Sequence, residues 1–464
     1  MRQRSHRVTT RHLQAAYPFQ SQGAITTRGC LIGIEANGGG AFTYCPWTFE
    51  AEMPGLLSNP NMLVLGNQNA GKSTGVKAYL HRQVGVFGRR AMVTDVKREY
   101  PPLARALGGS VISLHPTDTR STITGAGGSP ALTDPAAGAG TRLNPLSPWA
   151  SRADRLLLLY AVCEVALARP LTSTEKAMAR AGLEDAEHAD TGPTTGEATL
   201  VDIVRLLFTP TTTMAARQGV STAQFATDAR ELCNGLDELV TGQLRGMFDG
   251  PTSPGIRLDA PILVLDIADT GGTSGMGIMM LCATAWQRGL VAAGKRAGHV
   301  EPTIHVTDEA WRALGVAREA EAAQERTKLS RDHNVSSIYL VHKLADLKTS
   351  GDEGSRVRQI TENLVADCAT RVIYSQPTSE IPTLREVLGL TETELRIVTS
   401  PRIMRTGQAL WKIGDRSFLV QTLLAPEEVA LTSTRETMTR SAPGHHQGNR
   451  QDRSDSEPIQ AGAS

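Results

Sequence analysis

Short apolar runs ending in polar or glycine turns alternate along this chain with stretches of helical spacing. Asn61-Met-Leu-Val-Leu-Gly66 is an apolar strand entering a glycine turn. Ser73 to Val86 then sets Val76, Tyr79, Leu80 and Gln83 to Val86 at helical spacing and stops at Gly88; Ala91-Met-Val-Thr-Asp95 follows as a second strand. Strand, loop, helix, strand is the opening of a parallel sheet. From Ala150 to about Gln243 the pattern changes. Leu156, Leu157, Leu159, Tyr160, Cys163 and Leu167 fall at helical spacing, as do Leu200, Ile203, Leu206 and Leu207, and strand signals stop. An all-helical insertion over 150–255 is expected. The earlier rhythm returns with the strand Pro261 to Asp266, a helix from about Gly277 to Gly294 and the strand Thr303 to Asp308. A helix through Leu329 and strands at Ser337 to Val341 and Arg371 to Tyr374 complete the series.

The flanks are simpler. From Gly29 the pattern reads as two short strands around the Asn37-Gly38-Gly39-Gly40 turn, and Gln408 to Leu419 reads as a small terminal β element. Residues 117–141, rich in Thr, Gly, Ala and Pro, read as an exposed loop. The expected layout is a disordered basic arm (1–22), a β element with the first part of an α/β core (23–149), the helical insertion, the second part of the core (256–432) and a disordered tail (433–464).

With 464 residues, 40% of them hydrophobic, the chain can bury a substantial core. No run approaches the ~20 apolar residues that cross a bilayer. Leu156 to Ala168 comes nearest, but it contains Glu164 and stops at Arg169-Pro170, which makes it a buried helix. A secretory signal is not evident at the start, and a cytoplasmic location is expected. Six scattered cysteines without a C-x-x-C pair give no zinc or disulfide pattern. The net charge of +1 supplies no global field toward nucleic acid. Locally, Arg2, Arg4, Arg7, Arg11 and Arg28 precede the first acidic residue, Glu35, so this arm reads either as a phosphate or lipid contact or as a solvated terminus.

The chemistry concentrates in Gly66-Asn67-Gln68-Asn69-Ala70-Gly71-Lys72-Ser73, which fits G-x-x-x-x-G-K-[ST]. Its glycines let successive N–H groups face a β-phosphate, and the following helix adds its positive end. Lys72 would reach the β- and γ-phosphates, the Ser73 hydroxyl would ligate Mg²⁺, and Thr74 continues the cradle. ATP with Mg²⁺ is the expected ligand. Such a loop needs carboxylates for the metal's water shell and for the attacking water. Two strands end in aspartate, at Asp266 and Asp308, and only the second continues with a glutamate. Asp308 is therefore assigned to the metal shell and Glu309 to the water; Asp266 reads as a cap or loop carboxylate. The charged run Asp95-Val-Lys97-Arg98-Glu99-Tyr100 reads either as a group that positions nucleotide or as a solvated turn.

Taken in order, NMLVLGNQNAGKST, AMVTDVKREY, RLNPLS, VTDEAW, LSRDHNVSSIYLVHKLADL and QALWKIGDRSFLV resemble the FtsK/HerA superfamily over residues 29–432. The likeness is nearest to conjugation and type IV secretion ATPases of compact actinobacterial type. It implies a RecA-like P-loop NTPase core that assembles as a homo-oligomeric, hexameric ring, hydrolyses ATP at subunit interfaces and moves DNA or protein. It also implies work beside a membrane secretion or conjugation complex, at the inner face of the cell membrane, through other subunits. His342 stands where relatives carry a γ-phosphate-sensing glutamine. Arg331 and Arg371 lie where relatives place interface arginines, and Arg331 is preferred as the finger. Two departures stand out: Arg98 replaces a common glycine, and Cys45 a common aspartate.

Two other functions remain open on this reading. One is a soluble translocase of double-stranded DNA, as in other FtsK/HerA branches. The other is a nucleotide-dependent assembly scaffold that hydrolyses little, against which the presence of both Lys72 and Glu309 argues.

Overall fold

A computed structural model of the chain describes residues 28–432 apart from 114–141, 149–150, 189–196, 243, 255, 258, 269–272, 297, 299, 311–316 and 345–355. The basic arm (1–22), the Thr/Gly-rich loop (117–141) and the polar tail (433–464) expected from the sequence lie outside the described residues.

One sheet of eleven strands organises the described residues, in the order β2-β1-β11-β10-β9-β3-β8-β7-β4-β6-β5. In chain order the strands are β1 (Cys30–Glu35), β2 (Ala41–Tyr44), β3 (Met62–Leu65), β4 (Arg90–Asp95), β5 (Ser110–Ser113) and β6 (Ile262–Asp266). Then come β7 (Thr303–Thr307), β8 (Val335–Val341), β9 (Thr370–Ile373), β10 (Gln408–Ile413) and β11 (Arg416–Thr422). From β9 to β5 every neighbouring pair is parallel. The remaining pairs, β9 with β10 through β1 with β2, are antiparallel. The two small β elements expected at opposite ends of the chain thus join one sheet, since β1 pairs with β11. Strand β5, which the apolar pattern did not announce, adds a parallel edge beside β6.

The sheet is covered on both faces, as parallel strands require. Met62 and Val64 of β3 join one core with Val76, Tyr79, Leu80 and Val84 of helix α2 (Lys72–Gly85). Leu63 and Leu65 turn to the other core, with Leu364, Leu384 and Leu395. These belong to α12 (Arg356–Ala366), α13 (Ile381–Leu388) and α14 (Glu392–Thr399). Period-two alternation in a fully buried strand therefore feeds two helical layers.

A third core joins β6 and α10 (Thr273–Arg296) to the helices between β5 and β6. Those are α4 (Arg152–Leu167), α5 (Ser173–His188), α6 (Leu200–Phe208), α7 (Thr212–Arg217), α8 (Thr222–Asp228) and α9 (Arg230–Thr241). Helix α6 shows why this stretch is helical. Thr199 and Asp202 form a reciprocal capping box, and Leu200, Ile203, Leu206 and Leu207 make one buried face. The helix from Leu156 onward is likewise buried in part, with Leu158, Leu159, Val162 and Cys163 inside. The remaining helices are α1 (Pro46–Glu52), α3 (Pro101–Ala106), α11 (Ala317–Lys328) and α15 (Pro426–Thr432). Buried Cys45 precedes α1 and makes no side-chain cap hydrogen bond, which an aspartate there could supply. All six cysteines are buried free thiols.

Candidate functional site

Four adjacent parallel strands, β3, β8, β7 and β4, end on the same edge of the sheet, where open α/β sheets hold ligands. The segment after each strand contributes one part of the site. Beyond β3 runs the loop 66–73; beyond β8 stands His342; beyond β7 stand Asp308 and Glu309; beyond β4 stands Lys97.

The loop is shaped by its neighbours. A Cβ on Gly66 would come 2.5 Å from Tyr374 Cβ, so only glycine lets the backbone pass. Gly71 has φ +104 and starts α2 without a side-chain cap, leaving the helix's first amides for an anion. The loop is pinned by the segments flanking the two strands next to β3, after β9 and before β10: Asn67 N–H donates to Ser375 O (3.0 Å) and Gly407 N–H to Ala70 O (3.1 Å). Gln68 and Asn69 are exposed, with Asn69 at φ +58, a conformation asparagine tolerates. Ser73 and Thr74 are half-buried in the first turn of α2.

Lys72 is buried, and its ammonium donates to Gly66 O, to Asn67 O (2.9 Å) and to His342 Nδ1 (3.0 Å). Burial and the nearby charge of Lys97 push it down to about 8, against the pull of Glu309 and Asp308. An ammonium has no acceptor capacity, so His342 Nδ1 must accept, which places the ring proton on Nε2. That proton faces Glu309 Oε1 at 2.6 Å. The Lys97 ammonium reaches the same carboxylate oxygen as an ion pair.

Asp308 is 3% exposed and its N–H donates to Thr94 O (3.1 Å). Its Oδ1 accepts from Glu309 N–H (2.9 Å), while Oδ2 is buried without a hydrogen-bond partner. Burial, opposed by Lys97 and reinforced by Glu99, Glu309 and Asp95, pushes this carboxyl up to about 7. Such an oxygen fits a cation or its water shell, which would complete it. Glu309 has φ +48, a left-handed conformation that a glutamate rarely adopts.

The charged run after β4 is a built turn. Asp95 accepts from Lys97 N–H (3.0 Å) and Tyr100 N–H (2.9 Å). Glu99 pairs at 3.2 Å with Lys77 of α2, whose ammonium lies 5.5 Å from the centre of the Tyr100 ring. Arg98 pairs at 2.9 Å with Asp266, which also accepts from Ser113 (2.8 Å). Arg98 has φ +59, a left-handed conformation that glycine adopts without strain. Of the two aspartates that end β6 and β7, Asp266 is therefore occupied by a neighbour and Asp308 keeps an open oxygen.

The structure gathers the loop, Lys72, Ser73, Asp308, Glu309 and His342 at one edge. It does not bring Arg331 there. Arg331 lies at the opposite end of the strands, donating to Leu57 O (2.6 Å) and pairing with Glu50 (3.4 Å). Arg371 also lies at that end, donating to Leu388 O (3.3 Å). Sequence reasoning missed the contact of Lys97 with Glu309 and the support from Gly407 and Tyr374. The only available signal was the position of Asp95-Val-Lys97 directly after a strand that follows the loop helix.

A mostly parallel sheet bearing this loop and these carboxylates defines the fold of a RecA-like P-loop NTPase. Among solved structures, VirB4 of Thermoanaerobacter pseudethanolicus shares this fold with a TM-score of 0.67 and 19% identity, over 88% of this chain and 100% of that one. The bacterial conjugative coupling protein TrwBdeltaN70, in its unbound monoclinic form, matches with a TM-score of 0.51 and 12% identity, over 86% of this chain and 90% of that one. No family model and no curated protein matches the chain. Among the described residues, no helix is long and apolar enough to cross a membrane.

Proposed function

We propose that the chain is an ATP-hydrolysing ring motor of the kind that serves conjugative transfer or type IV secretion. The observation that carries this reading is the convergence of Lys72, Asp308, Glu309 and His342 on one sheet edge, with Asp308 Oδ2 buried and unpartnered. The backbone of residues 66–73 and the amides of α2 would cradle the β-phosphate, and Lys72 would exchange its carbonyl partners for phosphate oxygens. Ser73 and Asp308 would hold Mg²⁺, directly or through its water shell, and the ion would neutralise phosphate charge. Glu309 would orient and deprotonate the attacking water, while His342 would report on the terminal phosphate through Nδ1 or Nε2. Arg331 cannot reach its own chain's loop from the opposite end of the strands. As a finger it would serve a neighbouring copy, which a closed ring supplies. The fold shared with VirB4 and with a conjugative coupling protein favours this motor class over an unrelated P-loop enzyme.

Steady-state ATP hydrolysis of wild type and Lys72→Ala, across protein concentration and with or without double-stranded DNA, tests the reading. Specific activity that rises with concentration and vanishes in the variant supports an interface ATPase. Added stimulation by DNA favours the translocase over a protein-transport motor. Absence of any Lys72-dependent turnover removes the proposal in favour of the scaffold.

A further inference from the structure

Three of the charged side chains in the turn after β4 are fastened: Asp95 by two backbone amides, Arg98 by Asp266, Glu99 by Lys77. The fourth, Lys97, is 38% exposed, yet its ammonium is delivered onto a carboxylate that is only 7% exposed, that of Glu309. His342 Nε2 meets the same oxygen, Oε1, at 2.6 Å. Both groups are donors, so they converge on one acceptor; their 3.4 Å separation is not a hydrogen bond between them. Two donors on Oε1, one of them a full positive charge, occupy the lone pairs of that oxygen. The backbone of Glu309 is meanwhile held at φ +48, a conformation that persists only where surrounding contacts enforce it.

Building on the proposed ATPase reading, we propose that Lys97 is a positioning residue that restrains Glu309. It draws the water-orienting carboxylate onto itself and His342, and turnover requires the carboxylate to leave that grip. The rigid turn sets the reach of Lys97, so the restraint is part of the resting site. Because the ammonium is half exposed while the carboxylate is buried, a competing anionic group can lift the restraint from outside without uncovering Glu309. The restraint acts on the chemical step and leaves nucleotide affinity to the loop and Lys72.

The test compares kcat, KM and thermal stability of the full chain as wild type, Lys97→Met, Lys97→Gln, Lys97→Arg, Glu309→Gln, Lys72→Ala and the Lys97→Met/Glu309→Gln double variant. Either neutral substitution should raise kcat roughly threefold or more with KM little changed. Lys97→Arg, which keeps the ion pair, should stay at the wild-type rate. The double variant should be as inactive as Glu309→Gln alone, showing that the effect passes through that carboxylate. A folded Lys97→Met whose kcat is unchanged or lower overturns the restraint while Lys72-dependent turnover of wild type still stands. If no form shows Lys72-dependent turnover, the ATPase reading falls and takes the restraint with it. A Lys97→Met that hydrolyses where wild type barely does would support both.

Discussion

The two ends of the same parallel strands are built on opposite principles. At the start of β3, Asn61 is fully buried and every part of its amide is used: Nδ2 donates to Thr327 O (3.1 Å) and Ser330 Oγ (3.2 Å), and Oδ1 accepts from Ser337 N–H (3.0 Å). Ser336 adds a hydrogen bond to Pro60 O (2.7 Å). At the other end of the strands, Asp308 buries an oxygen without a partner, Lys72 is lowered to about 8, and Asn69, Arg98 and Glu309 all take positive φ. The fully used amide of Asn61 makes the first end a stabilising seam. At the second end the buried unpartnered oxygen and the left-handed backbone are costs that the rest of the fold sustains.

The sharpest way to break this contrast is through the site end. Lys72→Ala and Glu309→Gln should each reduce ATP turnover at least ~100-fold, with thermal midpoints close to wild type. A large loss of stability in either would show that the site end also carries structural weight. Next, Asn61→Ala should cost about 2–3 kcal/mol in chemical denaturation, because it strands Ser337 N–H and Thr327 O, while turnover per folded molecule stays near normal. Loss of turnover without loss of stability there would erase the distinction.

Asp308→Asn should abolish Mg²⁺-dependent turnover while raising the thermal midpoint by about 1–2 °C, since it removes a buried charge that the surrounding carboxylates oppose. A fall in midpoint would mean that the charge is paid for in the resting fold. The smallest effect belongs to Glu394, which burial would raise but Ser417, the Thr391 amide and Lys412 hold down at about 2. A depressed carboxyl stabilises the fold above its unfolded value near 4.5, and that contribution is lost as pH falls toward about 2. Discounted for solvent screening, it amounts to about 1 kcal/mol. Glu394→Gln should therefore flatten the acid limb of stability between those limits without changing the neutral-pH rate.

Much of this arrangement was legible beforehand. The loop 66–73 shows its glycine placement and Lys72-Ser73 in its own residues, so the turn between β3 and α2 could be read from them. Strands β3, β4, β6 and β7 announce themselves because both faces are buried and their apolar runs are continuous. The capping box at Thr199 and Asp202 starts its helix from residues three apart. Strand β5 was hidden, since Ser110-Val-Ile-Ser113 is short and only one of its four residues is fully buried. Boundaries also moved: the helix expected from about Gly277 begins at Thr273, because small residues at its start mask the apolar face.

By itself, then, the sequence determined whatever is encoded within a few residues: the glycine loop after β3, the buried strands, the helical character of the stretch between β5 and β6 and the pairing of an aspartate with a glutamate after β7. The tertiary structure alone decided which distant segments meet. It set β1 against β11, made Asn61 a hub between β3 and β8, sent Arg331 to the far end of the strands and brought Lys97 and His342 to one oxygen of Glu309. The reason is physical. Propensity, capping and periodicity act over one turn or one pleat, whereas a contact between two strand ends depends on sheet order and register, which only the packing of the whole core fixes.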